Sequence, residues 1–195
     1  MRTQQPLARP ILIYTTYILV FAILQVTVLP EVTFLKVRPD LTLVLAILTG
    51  YLFGRIDGLF LGLAAGFLRD VLAGRALGLG MLLLMYAALA SHYLLRDFFR
   101  RKTWMGLVQI FLVTLLYELA LVLLSWFFPM LPDQVPPFSQ MMTRLATTMP
   151  LQGLANVAVG VPTLLLLRYK GPYDPRVLSE DLDDGSTGEG KWRLI

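Results

Sequence analysis

The chain has no cysteine and one histidine, His92, in 195 residues. The first absence excludes disulfide frameworks, thiolate zinc sites, iron–sulfur clusters and cysteine nucleophiles, and leaves the redox compartment undetermined. The second excludes a multi-histidine metal site. Charge is scarce as well: Asp, Glu, Lys and Arg make up 15% of the chain, against roughly 25% in a typical soluble domain. Ten of the charged residues crowd between Lys170 and Ile195, so the remainder is poorer still. Catalytic signatures are missing. No Asp or Glu stands at helical spacing before His92, no G-x-S-x-G or H-E-x-x-H occurs, no acidic pair is arranged for acid–base chemistry, and no GxxxxGK[ST] follows a strand. The sequence reads as non-enzymatic and free of cofactors and metals.

Long apolar runs fill the space that charge leaves. Ile11 to Leu29 is uncharged and, at about 1.5 Å per helical residue, long enough to cross a hydrocarbon core of roughly 30 Å. Arg2 and Arg9 raise a cleavable signal peptide as the competing reading, but the run exceeds the usual apolar region and Leu29-Pro30-Glu31 lacks a small-residue cleavage site. Apolar sequence resumes from Leu41 to Phe53 and from Gly58 to Leu68, split by Gly54-Arg55-Ile56-Asp57. These short pieces fit two packed helices, a re-entrant hairpin or one broken helix. Leu77–Leu95, Trp104–Phe128 and Ser139–Leu167 follow, the last with Pro150 and Pro162 as kinks. The expectation is an all-α membrane protein, a bundle of six transmembrane helices forming one polytopic domain over 1–169, with a flexible cytoplasmic tail over 170–195.

Basic residues set the expected topology. Arg2, Arg9, Arg55, Arg96, Arg100, Arg101, Lys102, Arg168, Lys170 and Arg176 fall on one side of such a bundle, and Lys36, Arg38 and Arg75 on the other. The positive-inside rule therefore places both termini in the cytoplasm. The pI of about 9.5 reflects these caps between apolar runs, not a basic patch for nucleic acid.

Glycine recurs every fourth residue at Gly50, Gly54, Gly58, Gly62 and Gly66. In a membrane, close backbone approach at small residues supplies much of the helix-packing energy, so this stripe is a candidate seam or partner interface. Asp70 lies at the end of the same segment, where a carboxylate opposes the helix dipole and needs a partner. Arg75 across the turn, or backbone N–H groups of the next helix, are its candidates, with Gly74 and Gly78 shaping the turn. Arg69 is poorly placed to serve, because adjacent helical residues do not face each other. Glu118 sits inside an apolar run and should face the bundle, with Gln152, Asn156 or Arg144 as partner. His92 reads as a packing or headgroup-level residue.

The stretch from Pro39-Asp40-Leu41 through the spaced glycines to Asp70-Val71-Leu72-Ala73-Gly74 and Leu77-Gly78-Leu79 resembles the rod shape-determining MreD family. That resemblance implies a non-enzymatic subunit of the bacterial elongasome in the inner membrane. Such a subunit supports side-wall peptidoglycan synthesis and cell shape and binds the transmembrane helix of MreC. RodA, a class B penicillin-binding protein, MreB and a second copy of the chain are further implied partners. It also implies the six-helix fold of the S components of energy-coupling-factor transporters, which makes a vitamin-binding transporter subunit the main alternative and a lipid carrier a third. The S-component docking motif, alanines four apart on the first helix, is missing, since Ile11–Leu29 contains only Ala22.

Overall fold

A computed structural model describes residues 8–27, 37–72, 78–94, 104–127 and 138–172. Gly74, Arg75, the basic cluster from Arg96 to Lys102 and the expected tail beyond Pro172 lie outside the described residues. The helices are α1 (Ala8–Thr27), α2 (Leu41–Phe53), α3 (Arg55–Leu72), α4 (Leu79–Tyr93), α5 (Met105–Phe127), α6 (Phe138–Thr143) and α7 (Met149–Lys170), with a π-helical turn over Arg144–Thr148 joining the last two.

α2 is the hub. It is apolar on every face, the pattern of a helix enclosed by protein, and every residue but Leu41 is buried. α1, α3, α4, α5 and α7 all pack on it. Asp40 starts the helix: its backbone is extended, and its carboxylate accepts from the Leu43 N–H at 3.0 Å and the Thr42 hydroxyl at 2.8 Å. Gly54 ends it at φ 106°, a conformation that L side chains rarely adopt, and the chain turns straight into α3.

α3 runs back along α2 and α4 runs back along α3. Their contact is made by absent side chains: a Cβ on Gly62 would stand 2.8 Å from Met85 Cα, and one on Gly66 would strike Met81 Cα and the Gly80 carbonyl. α5 and α7 close the other side of α2, with Gly153 under the Phe111 ring and Gly160 under Ile110. One end of the bundle gathers the first half of α1, the α2–α3 junction and the end of α7. There the Tyr14 and Phe53 rings meet edge to face at 6.2 Å, and the Tyr17 hydroxyl donates to the Lys170 carbonyl at 2.6 Å. The opposite end holds Asp40, the end of α3 and the start of α4.

The expected six transmembrane spans, and with them the six-span S-component architecture, are corrected by this arrangement. Among the described residues three helices are long and apolar enough to cross a membrane: Arg9–Thr27, Met105–Leu124 and Met141–Lys170. α2 and α4 are apolar but have 13 and 15 residues, about 20 and 23 Å at ~1.5 Å per residue, against a core of roughly 30 Å. α3 has 18 residues but carries Arg55, Asp57, Arg69 and Asp70. Counting apolar runs as spans overlooks that a helix solvated by protein on all sides, as α2 is, needs neither the length nor the role of a membrane-crossing one.

Candidate functional site

Two features stand out, a polar node at the Asp40 end of the bundle and an apolar face on the outside of α3 and α4. The node is built on the Pro39-Asp40 start of α2. Arg69, one residue before Asp70 on α3, reaches Asp40 with its Nη1 2.7 Å from Oδ2. The same nitrogen donates to the Tyr117 hydroxyl of α5 at 3.0 Å, and the guanidinium lies 5.9 Å from the centre of that ring. Asn156 of α7 accepts from the Asp40 N–H at 2.7 Å and donates to Thr114 of α5 at 3.1 Å, both inside the bundle. Gln25 of α1 accepts from the Leu41 N–H at 2.7 Å and donates to the Pro39 carbonyl at 3.4 Å, while Gln152 of α7 donates to the Arg38 carbonyl at 2.6 Å. Five helices thus meet around the start of α2. A buried polar network satisfied to this degree fixes register, because sliding any one helix would leave several groups unpaired.

Asp70 points the other way. Its Oδ2 accepts from the N–H groups of Gly78 and Gly80 at 3.0 Å and of Met81 at 3.2 Å, so the carboxylate sits on the positive end of α4. Gly78 caps α4 at φ 116°, and Gly80 has no Cβ that would collide with the Asp70 carboxylate. The unfavourable end of the α3 dipole is therefore offset by the favourable end of the next helix.

The spaced glycines divide between jobs. Gly50 lies against the Ala88 carbonyl and Ser91, Gly58 against Gly50, and Gly62 and Gly66 against the α4 backbone, whereas Gly54 is the hinge with nothing near its Cβ position. Glu118 pairs with Arg144 at 3.4 Å, and neither Gln152 nor Asn156 reaches it. His92 is buried with Ser91, whose hydroxyl donates to the Ile47 carbonyl at 2.8 Å. Among the described residues no group of three or more metal-ligating side chains occurs.

The glycine seam is filled by α4, so what faces outward is its reverse side. On α3 the exposed residues include Phe60, Ala64, Phe67 and Val71, four and three residues apart in turn, with Arg55 and Leu72 exposed at its two ends; on α4 they include Leu79, Leu82, Tyr86 and Tyr93. Each helix presents an apolar ridge at heptad spacing, the spacing that knobs-into-holes packing uses. Sequence reasoning missed the node. Pro39-Asp40-Leu41-Thr42 is a readable helix start, but nothing in the sequence pairs Asp40 with Arg69, 29 positions away.

The pattern of the family described as rod shape-determining protein MreD matches residues 8–170, which is nearly all of the described chain. Neither a curated protein nor a solved structure matches it.

Proposed function

The chain belongs to the MreD family, and from that membership we propose that the outward apolar ridge of α3 is where it holds its partner. As a member it is a non-enzymatic, multi-pass membrane scaffold that acts in cell shape and interacts with MreC in the elongasome. The finer reading is that the single transmembrane helix of MreC packs along the outward ridge of α3.

One observation carries this reading: the heptad-spaced apolar stripe of α3 lies on a helix whose ends carry Arg55, Asp57, Arg69 and Asp70, a helix less suited to lipid than α7 with its similar stripe of Leu154, Ala158, Val161 and Leu165. Gly62 and Gly66 turn toward α4, so the ridge of Phe60, Ala64, Phe67 and Val71 faces away from α4 and is open to a guest helix along its length. A guest helix of full length would shield this outer face of α3. The glycine stripe serves this contact indirectly, by holding α3 on α4 so that the Phe60 ridge faces outward, and Asp70 with Gly78 fixes the turn that holds the two helices in register. Glu118, Gln152 and Asn156 serve the bundle itself.

In this reading the domain is a single unit over 1–169 with a cytoplasmic tail over 170–195, in the bacterial inner membrane. Both termini are cytoplasmic: the start of α1 and the end of α7 share one end of the bundle, and Arg9, Arg55, Arg168 and Lys170 cluster there. RodA, the class B penicillin-binding protein and MreB join through MreC, and a second copy of the chain competes for the same ridge. The test is co-purification with MreC of the double variant Phe60→Ala, Phe67→Ala. Recovery of MreC should fall at least several-fold at an unchanged membrane level of the variant; full recovery refutes the assignment of the α3 ridge.

A further inference from the structure

The π-helical turn opens a shallow cavity of about 450 Å³ lined by Ser139, Thr143, Arg144 and Thr148. The turn has a local cause. Pro150 has no N–H to return to the carbonyl four residues back, and the helix widens just upstream, where the Met149 N–H bonds instead to the Arg144 carbonyl. Widening splays the side chains of this segment and leaves Arg144 at the cavity wall with about half its side chain exposed. Among the described residues its one partner is Glu118, at the long distance of 3.4 Å, so most of its five N–H donors are open. The hydroxyls of Ser139 and Thr148 have no partner among those residues either.

Depth identifies what meets these donors. The continuous helix Met141–Lys170 has 30 residues, about 45 Å at ~1.5 Å per residue, where roughly 20 suffice for the hydrocarbon core. Counted back from Arg168 and Lys170 at the far interface, the core is spanned by about Met149. The cavity therefore lies at headgroup level, and Met142, next to Thr143 in the chain, and Leu119, next to Glu118, are exposed apolar side chains at the same end of α5 and of the long helix. We propose that this cavity binds the phosphate of a membrane phospholipid, with the Arg144 guanidinium and the Ser139 and Thr148 hydroxyls as donors and an acyl chain along Met142 and Leu119. A guanidinium fork matches a phosphate diester. Glu118 tunes the site, because it competes with the phosphate for Arg144.

Native mass spectrometry of the delipidated full-length chain in detergent, titrated with phosphatidylglycerol, tests this. One lipid per chain is expected, bound about ten-fold more weakly by Arg144→Gln, the loss of one charge-assisted hydrogen bond. Glu118→Gln should bind several-fold more tightly, since it frees the guanidinium. Inorganic phosphate and diacylglycerol at matched concentration should neither bind nor compete. Unchanged affinity in Arg144→Gln, displacement by inorganic phosphate, or equal binding of diacylglycerol would each overturn the proposal. If Arg144→Gln does not fold, the double variant Ser139→Ala, Thr148→Val decides: weaker binding supports the site, and wild-type binding overturns it.

Discussion

Breaking the pair between Asp40 and Arg69 should cost far more than a surface ion pair, and the two losses should not add. The 2.7 Å contact corresponds to a Coulomb attraction of about 6 kcal/mol at an effective dielectric of about 20, before desolvation is set against it. Both side chains are largely withdrawn from solvent, at 24% and 11% exposure, so screening is weak. Arg69→Met removes the cation and leaves a carboxylate among apolar helices, and we expect a loss of about 3 kcal/mol. Asp40→Asn is milder. Asn caps a helix as well as Asp, so the bonds from Leu43 and Thr42 survive and about 2 kcal/mol is lost through the charge alone. In the double variant no unpaired charge remains, and the combined loss should be about 3 kcal/mol, a coupling near 2 kcal/mol. Reversible unfolding in mixed micelles, followed by circular dichroism, measures all four proteins. Additivity within about 0.5 kcal/mol would refute the claim that this pair is the centre of the node.

Other outcomes follow from single positions. Gly66→Leu meets the backbone of α4, which cannot yield as a side chain can, so a loss of at least ~1–3 kcal/mol is expected in the same assay, with lower membrane levels. Gly54→Ala meets no atom at all and should still cost about 1–2 kcal/mol, because φ 106° strains any residue with a Cβ. Asp70→Asn keeps an oxygen for the Gly78, Gly80 and Met81 N–H groups and should retain most function at a loss of about 1 kcal/mol, whereas Asp70→Leu strands all three donors and should abolish stable insertion. Equal loss in both, at normal membrane levels, would point to a role for the charge itself. Single cysteines near Ala8 and Gly185 should both resist an impermeant thiol reagent applied from outside intact cells; labelling of either contradicts the proposed cytoplasmic termini.

What the sequence discloses here is local. Helix ends are readable where chemistry marks them, as with Asp40 before an apolar run, or the glycines around Asp70 that leave backbone N–H groups open to a carboxylate. The glycine repeat is visible as a repeat, but its division into a hinge at Gly54 and contacts at Gly58, Gly62 and Gly66 depends on which helix lies opposite. Arg69 shows the limit most sharply. Adjacency to Asp70 rightly argues against pairing those two, yet its actual partners, Asp40 and Tyr117, are 29 and 48 positions distant and are brought in by topology alone. The span count failed for a related reason. Hydropathy reports that a segment avoids water, not whether lipid or protein surrounds it, and for α2 the answer is protein on every side.

The most direct test of the scaffold reading is a photo-crosslinking scan in growing bacterial cells, with the probe placed in turn at Phe60, Phe67 and Val71 on the outward ridge of α3 and at Leu12, Leu123 and Leu165 on the exposed faces of α1, α5 and α7. The account predicts that MreC is captured from the first three positions and from none of the second. Capture of MreC from the α1, α5 or α7 positions, with the α3 ridge silent, would contradict it.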